Sequence, residues 1–139
     1  MGIKTYPLFF PLLFAFFILA SCASFDSEHY SEPYDDSGYA IASWYGREFH
    51  GKRTSSGQPF NMHAFTCAHR TYPFGTKLKI TNLANGKTVH CVVNDRGPTS
   101  TNRAIDLSYA AAKKIGLTGK GSAKVRIEYS GRDAGSPED

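Results

Sequence analysis

The feature that most constrains the fold is a pair of alternating runs about a turn, "TKLKITNLANGKTVHCVVND", Thr76 to Asp95. In the first arm Leu78 and Ile80 alternate with Lys77 and Lys79, so an extended strand has one apolar and one charged face. Asn85-Gly86 then supplies a hairpin turn that tolerates positive φ. In the returning arm Val89, Cys91 and Val93 share a face, and Asp95 has the same parity, pointing inward at the strand's end. Alternation recurs in "YAIASWY", Tyr39 to Tyr45, and in "AKVRIEYS", where Val125, Ile127 and Tyr129 oppose Lys124, Arg126 and Glu128. Only "LSYAAAKKIG", Leu107 to Gly116, reads as helix, with Ser108 as N-cap and Gly116 as stop. The fold class is therefore mainly β with a short helix. Irregular strand spacing and one helical connection point to a barrel rather than a sandwich.

The 139 residues hold one domain, and the first twenty-one are set apart from it. "LFFPLLFAFFIL", Leu8 to Leu19, is apolar for twelve residues, short of the roughly 20 that a bilayer requires. It fits the core of a secretory signal, residues 1–21. The following "LASC" resembles a bacterial lipobox, in which Cys22 is lipidated and becomes the mature N-terminus. Such an anchor implies a membrane lipoprotein facing the periplasm, and Ala23 after the cysteine favours the outer membrane by resemblance to envelope lipoproteins. Residues 22–38 carry five acids and no Lys or Arg, and read as a solvated tether. Residues 39–131 are the folded domain, and 132–139 a similar polar tail.

Within 39–131 fourteen Lys or Arg stand against four acids, a balance of +10. Such a domain is drawn to anionic polymers. An exported protein rarely meets nucleic acid, so the carboxylate-bearing cell wall is the expected partner, with a basic surface kept for solubility as the alternative. Two cysteines remain after Cys22, and export favours a Cys67–Cys91 disulfide. A bridge closing about 25 residues contributes roughly 3–4 kcal/mol. The rival arrangement, a metal held by His63, Cys67, His69 and His90, matches no familiar zinc spacing.

The four acids are Glu48, Asp95, Asp106 and Glu128, and any acid–base cleavage of a glycosidic bond must draw on them. Glu128 lies on a polar strand face. Asp106 precedes the helix, where a carboxylate can accept orphan N–H groups and complement the dipole. Glu48, in the Gly-rich, aromatic "WYGREFHGKRTSSG", is left open. Asp95 ends a strand just before Gly97-Pro98 turns the chain, which puts it at a rim between Asn94 and Arg96. Two readings of it stand open: a catalytic acid, or an Asp that caps a turn.

Four segments, "ASWYGREFHGKRTSSGQPFNM", "AFTCAHRTYPFGTKLKITNLANGKTV", "VVNDRGP" and "RAIDLSYAAAKKIGL", resemble the rare lipoprotein A family. The likeness runs in order from Ala40 to Tyr129. It implies a six-stranded double-psi β-barrel with one or two short helices. It also implies a lytic transglycosylase acting on peptidoglycan glycan strands, preferring those stripped of stem peptides. Asp95 matches the family's catalytic aspartate and His69 a histidine lining the same groove. Such an enzyme protonates the oxygen leaving C1 of N-acetylmuramic acid. It then takes the proton of the sugar's own 6-hydroxyl as a 1,6-anhydro ring closes. No water needs activating, so one carboxylate can suffice.

His69, Gln58, Asn94, Arg96 and Trp44 are the expected sugar contacts, and Tyr45 and Phe49 offer further stacking faces. For the aromatics a place in the barrel core is the competing reading. No cofactor, metal or nucleic acid is implied, and a monomer is expected. Two departures stand out. Gln58 occupies the place of a glutamate that matters in active relatives, and Asn61 that of an aspartate. A glutamine can hydrogen-bond a sugar but cannot exchange a proton at neutral pH. Only a short polar tail follows Gly131, so no SPOR module, which targets many relatives to the division septum, is expected. A non-catalytic, expansin-like wall-binding barrel is the alternative function, and an envelope scaffold docked on wall carboxylates a third.

Overall fold

The computed structural model describes Gly2 and residues 39–134. The signal segment, Cys22, the acidic tether and residues 135–139 lie outside the described residues. Six strands are present: β1 (Ala40–Tyr45), β2 (Thr66–His69), β3 (Thr76–Asn82), β4 (Thr88–Asp95), β5 (Ile105–Ser108) and β6 (Ser122–Arg132). One helix, α1 (Tyr109–Lys114), and a 3-10 turn at Arg47–Phe49 complete the domain. The strands close into a barrel in the order β1-β5-β2-β4-β3-β6. β1 runs parallel to β5 and β2 parallel to β4, and the remaining neighbours are antiparallel.

The alternating arms pair as the sequence requires, with Leu78 opposite Cys91 and Ile80 opposite Val89. Their inward side chains pack with Val93, Ile105, Leu107 and Val125 in the barrel interior. Burying each large aliphatic contributes about 1.5–3 kcal/mol. The turn is longer than a two-residue hairpin. Asn82 N–H donates to Lys87 O at 2.9 Å, and Gly86 adopts φ +72° inside the loop. Asn82 and Asn85 both donate from their side-chain amides to Ile115 O, at 2.8 and 3.0 Å, so this loop caps the carbonyl end of α1.

Strands β2 and β5 carry no clear alternation, because both are short and packed on two sides. Their burial leaves only one half-buried residue each, Thr66 and Asp106. The helix starts where the Ser108 cap predicts, at Tyr109. Leu107 lies in the β-ladder against Trp44 and Cys67, and Ser108 caps α1 by accepting from Ala111 N at 3.3 Å. Tyr129 alternates with Val125 and Ile127 yet is exposed at 63%. The ordered chain also continues past Gly131. Arg132 remains in β6, and Asp133 N–H donates to Gly75 O at 2.7 Å. Cys67 and Cys91 form a disulfide that ties β2 to β4, which removes Cys67 as a thiolate ligand.

Candidate active site

The site is made by an irregularity. Along the β2–β4 ladder Cys67 pairs with Val93 but Ala68 pairs with Asp95, so β4 carries one extra residue. A bulge re-aims the side chains that follow it. Here Asn94 turns into the interior beside Val93, both buried, and Asp95 emerges half-buried at the barrel rim. Asp95 Oδ1 accepts three hydrogen bonds: from Ser55 N at 2.9 Å, Ser55 Oγ at 2.8 Å and Arg96 N at 2.8 Å. Its Oδ2 accepts none among the described residues. Ser55 belongs to a loop closed on itself by Phe60 N to Lys52 O at 2.7 Å and Thr54 N to Gln58 O at 2.8 Å. The Gly-rich segment is thus a stiff wall rather than a loose flap.

Between this loop and the rim lies a groove of about 400 Å³, within the usual size of a ligand site. Trp44, Tyr45 and Phe49 give it aromatic faces, and Lys52, Arg53, Arg96 and Arg103 give it positive charge. Arg96 is held in place by stacking on Phe74 at 3.8 Å and by donating to Tyr72 O at 2.9 Å. Tyr45 packs on Phe60, with ring centroids 4.4 Å apart, and its hydroxyl is buried without a hydrogen bond among the described residues. Burial, then the charges of Asp95 and Asp106, push that hydroxyl's pKa well above its ordinary value.

Residues 38–127, well over half of the chain, match the family model described as lytic transglycolase. The chain belongs to the lytic transglycolase family. A relative from Vibrio cholerae named endolytic peptidoglycan transglycosylase RlpA is 54% identical over 87 residues, 63% of this chain and 33% of the relative. One of the same name from Campylobacter jejuni is 54% identical over 91 residues, 66% of this chain and 33% of the relative. The chain spans about a third of the length of these curated relatives. Among solved structures, an expansin from Clavibacter michiganensis superposes with TM-score 0.55 at 19% identity, covering 70% of this chain and 52% of that one. A papain inhibitor from Streptomyces gives TM-score 0.53 at 21% identity, covering 65% and 90%. At such identities the likeness is of fold. These matches bear out the rare lipoprotein A resemblance and the double-psi β-barrel it implies.

The lytic transglycolase groove gathers some of the expected residues and excludes others. Asp95, Arg96, Trp44 and Glu48 line it. Trp44 also packs on the core and lies 5.7 Å from the Tyr109 ring, so it stands at the boundary of groove and core. His69 does not line the groove. Its side chain is 1% exposed, and its Nδ1 accepts from Thr71 N at 3.3 Å and Tyr72 N at 3.2 Å, fixing the turn that carries Arg96's acceptors. Asn94 is likewise turned inward by the bulge and donates to Gln58 Oε1 at 3.4 Å. Gln58 is exposed on the loop above Asp95 rather than inside the groove.

Asp106 overturns the expectation that it caps the helix. It lies in β5 opposite Ser43 and Ala68, and Ser108 performs the capping instead. Its side chain lines the groove with Asp95. Burial raises its pKa, against the opposing pull of Arg103 and then Arg70. Ile105 and Leu107 do flank Asp106, but in a strand of four residues that pattern is too short to mark a strand by itself.

Proposed function

We propose that this domain is a lytic transglycosylase that cleaves peptidoglycan glycan strands and leaves products ending in 1,6-anhydro-muramic acid. The observation that carries this reading is the asymmetry of Asp95. One oxygen is clamped by three donors, and the other is unbonded on a carboxyl that lines the groove. A carboxyl held that way can give a proton to the oxygen leaving C1 and take one from the 6-hydroxyl as the ring closes. The relatives named endolytic peptidoglycan transglycosylase support the same chemistry. Trp44, Tyr45 and Phe49 offer stacking faces for sugar rings, and Gln58 a hydrogen-bonding group at the rim. Lys52, Arg53, Arg96 and Arg103 suit strands without stem peptides, whose muramic lactyl groups are free carboxylates.

The protein acts as a monomer held at the periplasmic face of a membrane, the outer one by preference, through lipid on Cys22. The test uses the protein purified in detergent and incubated with stem-peptide-free glycan strands, with products read by mass spectrometry. Anhydro-ended products that vanish in Asp95→Asn support the enzyme. One observation favours a second reading, a non-catalytic expansin-like barrel that binds or loosens the wall: the amide of Gln58 stands where a proton-exchanging carboxyl is expected. Strand binding without any cleavage would select that reading.

A further inference from the structure

The mechanism above asks one carboxyl to give a proton and then take one back. The groove holds a second carboxyl that it leaves idle. Asp106 is fixed in β5 between two strands, opposite Ser43 of β1 and Ala68 of β2. Its side chain lines the same groove as Asp95 but is only 18% exposed. Asp106 Oδ1 is buried and accepts no hydrogen bond among the described residues. Arg103 Nε is 3.7 Å from that oxygen, beyond hydrogen-bond length. Arg70 directs its donors to the carbonyls of Pro98, Ser100 and Arg103 instead.

A dry, unbonded oxygen stabilises an anion poorly, so Asp106 is built to hold its proton. Asp95 stands in a different setting, with three donors on its Oδ1 and its Oδ2 unbonded among the described residues. Tyr45 feels the charge of both acids, which places them in one electrostatic neighbourhood. Two carboxyls whose surroundings differ this way divide acid from base.

We propose that Asp106 is a second catalytic carboxyl of this reaction: it delivers the proton to the leaving oxygen, and Asp95 receives the proton of the 6-hydroxyl. The proposal rests on the transglycosylase reading of the groove. The O–H bond of Asp106 breaks as its proton passes to the glycosidic oxygen. The C1–O bond breaks with its electron pair moving to that oxygen. O6 bonds to C1, and its proton passes to Asp95. Exchange with solvent in the open groove then takes the proton from Asp95 and returns one to Asp106, so no co-reactant is consumed.

The charged and titratable groups that interact with Asp106 are Tyr45 from β1, Arg70 after β2 and Arg103 before β5, and Asp95 at the end of β4 shares its groove. The experiment compares two substrates. Natural strands need a protonated leaving group. The 2,4-dinitrophenyl glycoside of an N-acetylglucosaminyl–N-acetylmuramic acid disaccharide does not. Asp106→Asn is expected to lower kcat/KM on strands by about 100-fold or more, yet to change the aryl substrate by less than about 5-fold. In the parent protein the alkaline limb of the pH profile is expected for strands and absent for the aryl glycoside, a readout that needs no variant to fold.

Equal alkaline limbs on the two substrates overturn the proposal. So does an equal loss on both substrates in a folded Asp106→Asn, which would mark a structural role. Undiminished strand cleavage by Asp106→Asn overturns it too and leaves the single-carboxyl mechanism intact. Strand cleavage by Asp95→Asn sinks that mechanism as well as the division of labour built on it.

Discussion

Ser55 and Asp95, forty residues apart, meet through two hydrogen bonds on a single carboxylate oxygen, one from the hydroxyl at 2.8 Å and one from the backbone at 2.9 Å. The contact joins the Gly-rich loop to the end of β4 and sets the direction of the free oxygen. Ser55→Ala keeps the backbone donor and removes the hydroxyl. A hydrogen bond to a charged group is worth about 1.5 kcal/mol, so kcat/KM on glycan strands is expected to fall about tenfold. Release of anhydro-ended products measures this, and a change below about twofold would show that the hydroxyl does not orient Asp95.

Asp106 should cost the fold stability at neutral pH. Burial raises its pKa in the folded protein above that of the unfolded chain, so its contribution is fully present below the unfolded value and is lost as pH rises through the folded one. Asp106→Asn removes the penalised charge. The variant is expected to be more stable than the parent at pH ~7 by about 1 kcal/mol, with the gain vanishing below pH ~3.9. Thermal unfolding at the two pH values tests this. An equal gain at both would mean that charge is not its source.

The Cys67–Cys91 bridge spans 24 positions and joins neighbouring strands beneath the site. Replacing both cysteines by alanine should lower unfolding free energy by roughly 3–4 kcal/mol. Urea denaturation reads the loss directly, and an unchanged midpoint would contradict it.

Gln58 is exposed and accepts a hydrogen bond from Asn94 at 3.4 Å, a bond that a carboxylate can also accept. Gln58→Glu is therefore expected to change stability by less than about 0.5 kcal/mol. Turnover of strands should rise by about tenfold or more if proton exchange at this position assists the reaction. Unaltered turnover would place the limitation elsewhere.

The strands visible in the sequence were those with a solvent-facing side. In β3 and β4, Leu78, Ile80, Val89 and Cys91 alternate with polar residues because one face meets water. Strands β2 and β5 lack that imprint, being covered on both sides, and only family resemblance supplied them. The same blind spot misplaced Asp106. Next to an alanine-rich helix it reads as a capping residue, while its actual neighbours, Ser43 and Ala68, are far away in the chain. His69 failed for the converse reason. A histidine in a groove-forming segment looks available, yet its ring is used by the amides of Thr71 and Tyr72.

The amino-acid order alone determined the alternating arms, the helix cap at Ser108, the shortage of acids in a basic domain and the rim position of Asp95. Those properties arise between residues close in the chain, where periodicity and turn chemistry act. Barrel closure decided the rest. The parallel pairings of β1 with β5 and β2 with β4, and the bulge that turns Asn94 inward, bring Asp95 and Asp106 to one groove and leave Asp95 within reach of Ser55. Such meetings depend on ladder register between distant segments, and no local pattern encodes them.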